Sequence, residues 1–264
     1  MTGRASRLTD RIAALRAAGR GGLSIYLCGG HPSVQATGDL LDAAVAGGAD
    51  WLELGIPFSD PAADGPVIQA AATQALENGC TVQDILAIAR AFRGRHPEVP
   101  VIAMTYANLA FQRGWEGFAR DLAEAGIDGL ILPDVPLEES GPIRAALAAA
   151  GLAWVPLVTP TTPADRMAAL AATATGFLYV VGNVGITGQS DPGPLVEATV
   201  ARARAADPDV PLAVGFGISS ADDVRRVLGA GADAAIVGSK VVGAVTAGAT
   251  PEQIRSLVKG LAQG

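Results

Sequence analysis

Apolar residues recur at spacings of four and three in Leu8, Ile12 and Leu15, which predicts an amphipathic helix over residues 6–18. Beyond it, short apolar runs alternate with segments of helical period. The runs fall at 23–27, 51–55, 101–105, 129–132, 153–158, 176–181, 212–214 and 234–237, eight in all. Helical segments fall at 40–45, 82–92, 115–124, 142–150, 165–171, 194–204, 222–228 and 251–261. Runs that are apolar at nearly every position predict strands buried on both faces, as in a parallel sheet covered by helices. A weak repeat marks the joints: Gly48-Ala49-Asp50, Gly126-Ile127-Asp128 and Gly231-Ala232-Asp233 precede the second, fourth and eighth runs. In each, the glycine is placed to end a helix and the aspartate to open a strand, as where one supersecondary unit recurs. Eight units in 264 residues predict an α/β fold, a TIM (β/α)8 barrel with an extra N-terminal helix and a single domain over 1–264. A doubly wound sheet is the alternative.

Composition narrows the chemistry more than the fold. Half of the residues are hydrophobic and 17% are charged, which supports a core and excludes a disordered chain. Acidic residues exceed basic ones by 26 to 19, a formal charge of −7, so no nucleic-acid partner is expected. An anionic small molecule stays open, because backbone amides and helix N-termini bind phosphate without net positive charge. Cys28 and Cys80 form neither a disulfide framework nor a CxxC pair, and with His31 and His96 they make a poor ligand set, so no metal is expected. The basic N-terminus lacks the apolar run of a signal peptide, and no stretch of 18 apolar residues is free of Gly, Pro or charge. The expected location is the cytoplasm, with no membrane association.

In a barrel the chemistry belongs at the C-terminal ends of the strands. Glu53 lies inside Trp51-Leu52-Glu53-Leu54-Gly55, where an unpaired carboxylate meets a desolvation penalty of several kcal/mol. It is either half of a structural ion pair or an acid–base group with a raised pKa, and the second reading is the sharper one. The loop that follows, Ile56 through Pro66, carries three prolines that stiffen it, together with Asp60 and Asp64. These aspartates are either turn residues or partners of Glu53 in a pair of carboxylates with different duties. Three glycine-rich strand ends follow the sixth, seventh and eighth runs: Gly182 to Gly188, Gly215-Phe216-Gly217-Ile218-Ser219 and Gly238-Ser239-Lys240. Their joint placement favours a phosphate cradle over ordinary turns. Only Lys240 and Lys259 are lysines, so a Schiff-base mechanism would have to use Lys240. Its position points instead to the surface or to the phosphate. Cys28 reads as a small buried hydrophobe, and Tyr106 and Tyr179 as pocket wall or core.

The run Glu53-Leu-Gly-Ile-Pro-Phe-Ser-Asp60-Pro-Ala-Ala-Asp64-Gly-Pro66 resembles the tryptophan synthase alpha chain family, and it is too long for chance. Supporting matches are Tyr106-Ala107-Asn108-Leu109, Asp134-Val135-Pro136-Leu137-Glu138-Glu139, Gly185-Ile186-Thr187-Gly188, Gly215-Phe216-Gly217-Ile218 and Gly238-Ser239, spread over almost the whole chain. The resemblance implies a barrel that cleaves indole-3-glycerol phosphate to indole and glyceraldehyde 3-phosphate by a retro-aldol reaction, with no cofactor or metal. It implies Glu53 as the general acid–base and Asp64 as acceptor of the indole N–H. Tyr179 would place Glu53 and the substrate, Tyr26 and Tyr106 would line the substrate pocket, and amides around Gly188, Gly215, Gly217, Gly238 and Ser239 would hold the phosphate. Thr187 would meet Asp60 as a loop closes over the substrate.

The chain departs from the family pattern in four places. Tyr26 stands where phenylalanine is frequent, adding a hydroxyl that needs a partner if buried. Cys28-Gly29-Gly30-His31 replaces a segment usually bulkier before the second glycine and acidic after it, Asn183 alters the closing loop, and Lys240 replaces a small apolar residue. The resemblance implies a pyridoxal-phosphate beta chain as partner in an alpha2beta2 heterotetramer, with residues 56–66 and those after Tyr106 at the interface. The alternatives are a free-standing indole-3-glycerol phosphate lyase and, from another class, a non-catalytic barrel that binds phosphate ligands or a partner. The presence of both Glu53 and Asp64 speaks against the last.

Overall fold

The computed structural model of the chain describes residues 5–182, 193–215 and 217–264. Its strands are β1 (Gly22–Cys28), β2 (Trp51–Gly55), β3 (Val101–Met104), β4 (Gly129–Ile131), β5 (Ala153–Trp154), β6 (Leu157–Val158), β7 (Leu178–Val181), β8 (Leu212–Gly215) and β9 (Ala234–Val237). All pairings are parallel, in the order β5-β4-β3-β2-β1-β9-β8-β7-β6. The two ends of that order, β5 and β6, are halves of the single run predicted at 153–158. Pro156 lies between them and has no N–H for a ladder. β5 pairs with β4 and β6 with β7, while Val155 N–H donates to the Leu130 carbonyl at 3.2 Å and Tyr179 N–H to the Pro156 carbonyl at 2.9 Å. One run therefore bridges both edges, and the sheet closes into an eight-stranded (β/α)8 barrel instead of a doubly wound sheet.

The helices are α1 (Ala5–Ala17), α2 (Val34–Gly47), α3 (Pro66–Glu77), α4 (Val82–Arg95), α5 (Ala107–Arg113), α6 (Trp115–Glu124), α7 (Gly141–Ala150), α8 (Ala164–Ala171), α9 (Gly193–Ala206), α10 (Ala221–Gly229), α11 (Ser239–Thr246) and α12 (Pro251–Leu261). Three of them, α3, α5 and α11, lie outside the periodic segments read from the sequence. In α3 the buried face consists of Ala71, Ala72 and Ala75, so no period of large apolar residues marks it. α5 and α11 are only 7 and 8 residues long, too short for a period to register.

The repeated Gly-x-Asp joints turn out to tie the barrel floor together. Gly48, Gly126 and Gly231 all have left-handed backbones, with φ of 109°, 82° and 100°, which favour glycine. Asp50, Asp128 and Asp233 accept the amides of Leu23, Val101 and Leu212 at 2.9, 2.8 and 2.7 Å, each stitching one strand to its neighbour. Helix α1 sends one arginine to each: Arg11 to Asp50 at 2.8 Å, Arg7 to Asp128 at 2.7 Å and Arg16 to Asp233 at 2.6 Å. Between these arginines on the helix surface, Leu8, Ile12 and Leu15 are buried with Trp51, Ile102 and Phe177 in the barrel interior. α1 thus plugs the N-terminal end of the barrel, and the open mouth is the C-terminal end.

Candidate active site

Strand alternation carries a fixed set of residues into the barrel. Register pairs Ser24 with Trp51 and Tyr26 with Glu53. Trp51 is in the interior cluster, so Glu53, two residues on, faces inward as well. It is 1% exposed. Its Oε1 accepts from the Ser24 hydroxyl at 3.3 Å, and its Oε2 has no partner among the described residues. No arginine or lysine reaches it among those residues, so the structural ion pair is not what is found. Burial pushes the carboxyl up to about 8, against a smaller opposing pull from Ser24.

Asp64 arrives from the proline-stiffened loop after β2. It is half-buried, and its Oδ2 accepts from the Tyr106 hydroxyl at 3.0 Å, while the Tyr106 oxygen accepts from the Ala63 amide at 3.0 Å. Tyr106 stacks on Phe58 with ring centroids 5.2 Å apart, which packs the loop against the end of β3. Burial raises Asp64 to about 6, and the Tyr106 hydrogen bond holds it below what burial alone would give. At pH 7 Glu53 is therefore mostly protonated and Asp64 mostly ionised, two carboxyls set apart by their surroundings. Asp134 accepts the Ala107 amide at 3.0 and 3.1 Å, fixing the start of α5 beside Tyr106.

Glu53 and Asp64 line one cavity of about 270 Å³ together with Tyr26 and Tyr179, and Gly217, Ser219, Gly238 and Ser239 line it as well. A larger cavity of about 740 Å³ adjoins it and shares Asp64, Met104 and Tyr179. Tyr26 and Tyr179 are both buried. Each reaches over a glycine: a side chain on Gly55 would collide with the Tyr26 hydroxyl, and one on Gly215 with the Tyr179 hydroxyl. Gly215 thus makes room for Tyr179 and is not among the residues lining the cavity. Tyr106 is likewise behind Asp64 and not on the wall of the smaller cavity. Asp60 is exposed and accepts from the Ser59 hydroxyl. Thr187, Gly188 and Asn183 lie outside the described residues, and with them the expected contact of Thr187 with Asp60.

Of the departures near the first strand, Tyr26 is part of the cavity wall, whereas Cys28 and His31 are not. Cys28 is buried among Tyr26, Ala71, Ala72 and Val242. The His31 ring is buried and shares a hydrogen bond of 3.0 Å with the Thr246 hydroxyl, anchoring the first βα loop to α11. The functional residue that sequence reasoning missed is Ser24, the hydrogen-bond donor to Glu53. The signal was present: it is the polar residue in the apolar run 23–27, with the same parity as Tyr26. Among the described residues no cluster of His, Cys, Asp and Glu is suited to a metal ion, and no helix is long and apolar enough to cross a membrane.

Fold and site define a (β/α)8-barrel enzyme with two carboxyl groups of opposite protonation beside a glycine-lined wall. Residues 12–263 match the family described as tryptophan synthase alpha chain. The chain is 49% identical over 238 residues to the tryptophan synthase alpha chain of Rhizorhabdus wittichii, covering 90% of this chain and 87% of that one. It is 42% identical over 263 residues to that of Laribacter hongkongensis, covering 98% of each. The crystal structure of the alpha subunit from Legionella pneumophila superposes with a TM-score of 0.89 at 37% identity over 97% of both chains. Tryptophan synthase from Mycobacterium tuberculosis superposes with a TM-score of 0.90 at 36% identity, covering 97% of this chain and 96% of that one. The chain belongs to the tryptophan synthase alpha chain family. The reaction of that family is the cleavage of indole-3-glycerol phosphate to indole and glyceraldehyde 3-phosphate, a lyase reaction.

Proposed function

We propose that this chain cleaves indole-3-glycerol phosphate with Glu53 as general acid–base and Asp64 as the anion that steadies the indole ring. The observation that carries the assignment is geometric: a fully buried carboxyl with one oxygen unpartnered among the described residues lines one cavity with a half-buried carboxyl held by the Tyr106 hydroxyl, and burial pushes the first to about 8 and the second to about 6. The protonated Glu53 delivers its proton to C3 of the indole, and the ring becomes a cationic indolenine. Its N–H donates to the ionised Asp64, whose charge offsets the positive charge that develops. The Glu53 carboxylate so formed takes the proton of the glycerol hydroxyl next to the ring. The bond from C3 to the glycerol carbon then breaks, its electron pair returns to the ring, and the carbon leaves as the aldehyde. Indole and glyceraldehyde 3-phosphate result, and Glu53 ends protonated as it began. Tyr26 and Tyr179 enclose the ring, and the amides around Gly217, Gly238 and Ser239 hold the phosphate.

The chain works in the cytoplasm as the alpha subunit of an alpha2beta2 complex with a tryptophan synthase beta chain, which consumes the indole. The test is steady-state indole release from indole-3-glycerol phosphate by the purified chain, alone and with a beta chain, with E53Q as the blank. Slow release that depends on Glu53 and accelerates when the beta chain is added is the expected result. Release at about 1 per second or more by the chain alone, an ordinary enzyme turnover, would make it a free-standing lyase. Release that survives in E53Q would overturn the acid–base assignment.

A further inference from the structure

The smaller cavity is lined by both acidic and basic side chains. Of the described residues that line it, Glu53 and Asp64 are acids and Lys240 is the one cation. It belongs to a chain of net charge −7 with just two lysines. Lys240 is the second residue of α11, directly after Ser239 and two positions from Gly238. It is exposed, and its ammonium makes no hydrogen bond or ion pair with a described residue. Its flank also lines a shallow groove beside Ala244 and Ala247, so the side chain stands at the border between cavity and solvent. The start of α11 is equally unprovided: Gly238 offers no side-chain acceptor, and the first amides to close a turn are those of Val241 and Val242, donating to the Gly238 carbonyl at 2.9 and 3.0 Å. The Ser239 and Lys240 amides ahead of them have no acceptor within the helix.

We infer that Lys240 supplies the ionic contact to the substrate's phosphate, giving a wall of neutral amides a charge-based preference for phosphorylated ligands. The inference rests on the phosphate reading of that wall given above and deepens it. A phosphate dianion entering this cavity meets an acidic protein and two carboxyl groups, one of them ionised at neutral pH. Amide dipoles orient the phosphate oxygens but carry no net charge to offset that repulsion. An ammonium on a flexible four-carbon stem, one residue from the cradle, does so without fixing the geometry. Because the group is exposed, its effect is modest and screened by salt, about three- to tenfold in affinity.

The experiment is calorimetric titration of the folded chain with glyceraldehyde 3-phosphate and, separately, with indole, for wild type, K240R, K240M and K240E. KM for indole-3-glycerol phosphate is measured beside it in the presence of a beta chain. Each variant is first checked for an unchanged melting temperature, which its exposed position predicts. K240M is expected to weaken glyceraldehyde 3-phosphate about three- to tenfold, K240E to weaken it further, and K240R to restore most of the loss. KM should follow the same order, indole affinity should stay within about twofold, and the differences should shrink as salt rises to about 0.5 M. Equal losses for indole and for the phosphate ligand would show a distorted cavity and overturn the proposal. Unchanged phosphate affinity in K240M and K240E would overturn the role of Lys240 alone. A wild-type chain that binds no glyceraldehyde 3-phosphate would overturn the phosphate cradle itself, and Lys240 with it.

Discussion

Glu53 is held at a price in stability that can be measured, and replacing it by glutamine should make the protein more stable while removing its activity. The group titrates at about 8 in the folded chain against an ordinary 4.5. Between those values the folded state binds more protons than the unfolded state, so this group lowers stability progressively as pH rises. The penalty is absent below about pH 4.5 and complete above about pH 8, growing by roughly 1.4 kcal/mol per pH unit between them. That amounts to about 3 kcal/mol at pH 7 and about 5 kcal/mol above pH 8. Glutamine has no such titration. It keeps an acceptor for Ser24 and puts an amide nitrogen where Oε2 has no partner, an offset of about 1 kcal/mol that does not vary with pH. The assay is denaturant unfolding of wild type and E53Q at half-unit steps from pH 5 to 9. The difference should rise by about 4 kcal/mol across that range and then flatten, and at pH 8 E53Q should melt roughly 10 °C higher. Its turnover should fall by about 10³-fold or more. Parallel stability curves would mean that Glu53 is already ionised and satisfied in the folded state, and the acid role assigned to it would fall.

The same pair of carboxyls predicts a bell-shaped pH profile for kcat/KM, rising through about pH 6 as Asp64 ionises and falling through about pH 8 as Glu53 loses its proton; a flat profile across this range would refute the assignment. Y106F removes the hydroxyl that favours the Asp64 anion, so the acid limb should move to higher pH while the alkaline limb stays, with kcat/KM down by about tenfold. An acid limb that stays in place would separate Tyr106 from Asp64. D128A leaves Arg7 and Arg93 without their shared partner at the barrel floor and should destabilise the chain by about 3 to 5 kcal/mol, read as a lower melting temperature. An unchanged melting temperature would show that α1 is not held through this joint.

Much of the fold was legible because its signals are local. The run 51–55 is apolar except for Glu53, and that one misfit residue is also the centre of the site. The repeated Gly-x-Asp joints mark strand starts because a left-handed glycine is a local backbone requirement. What escaped detection was set by partners distant in sequence. Asp50, Asp128 and Asp233 read as strand openers, yet each is matched by an arginine of α1, up to 217 residues away. Ser24 passed unnoticed because its importance comes from register with the neighbouring strand, and α3 because alanines pack a helix without marking a period.

The sequence by itself determined the alternation of strands and helices, the family resemblance, and the residues proposed for acid, anion and phosphate contacts, since hydrophobic period, glycine placement and one long motif are properties of the chain read in order. Only the tertiary structure decided that Pro156 splits a strand whose halves close the barrel, and that α1 seals its floor. It also decided which carboxyl carries the proton at pH 7: Glu53 is deep in the interior facing a single hydroxyl, and Asp64 is half-buried under the Tyr106 hydroxyl. Protonation follows from desolvation and from the partners that three-dimensional packing supplies, and neither is a function of position along the chain.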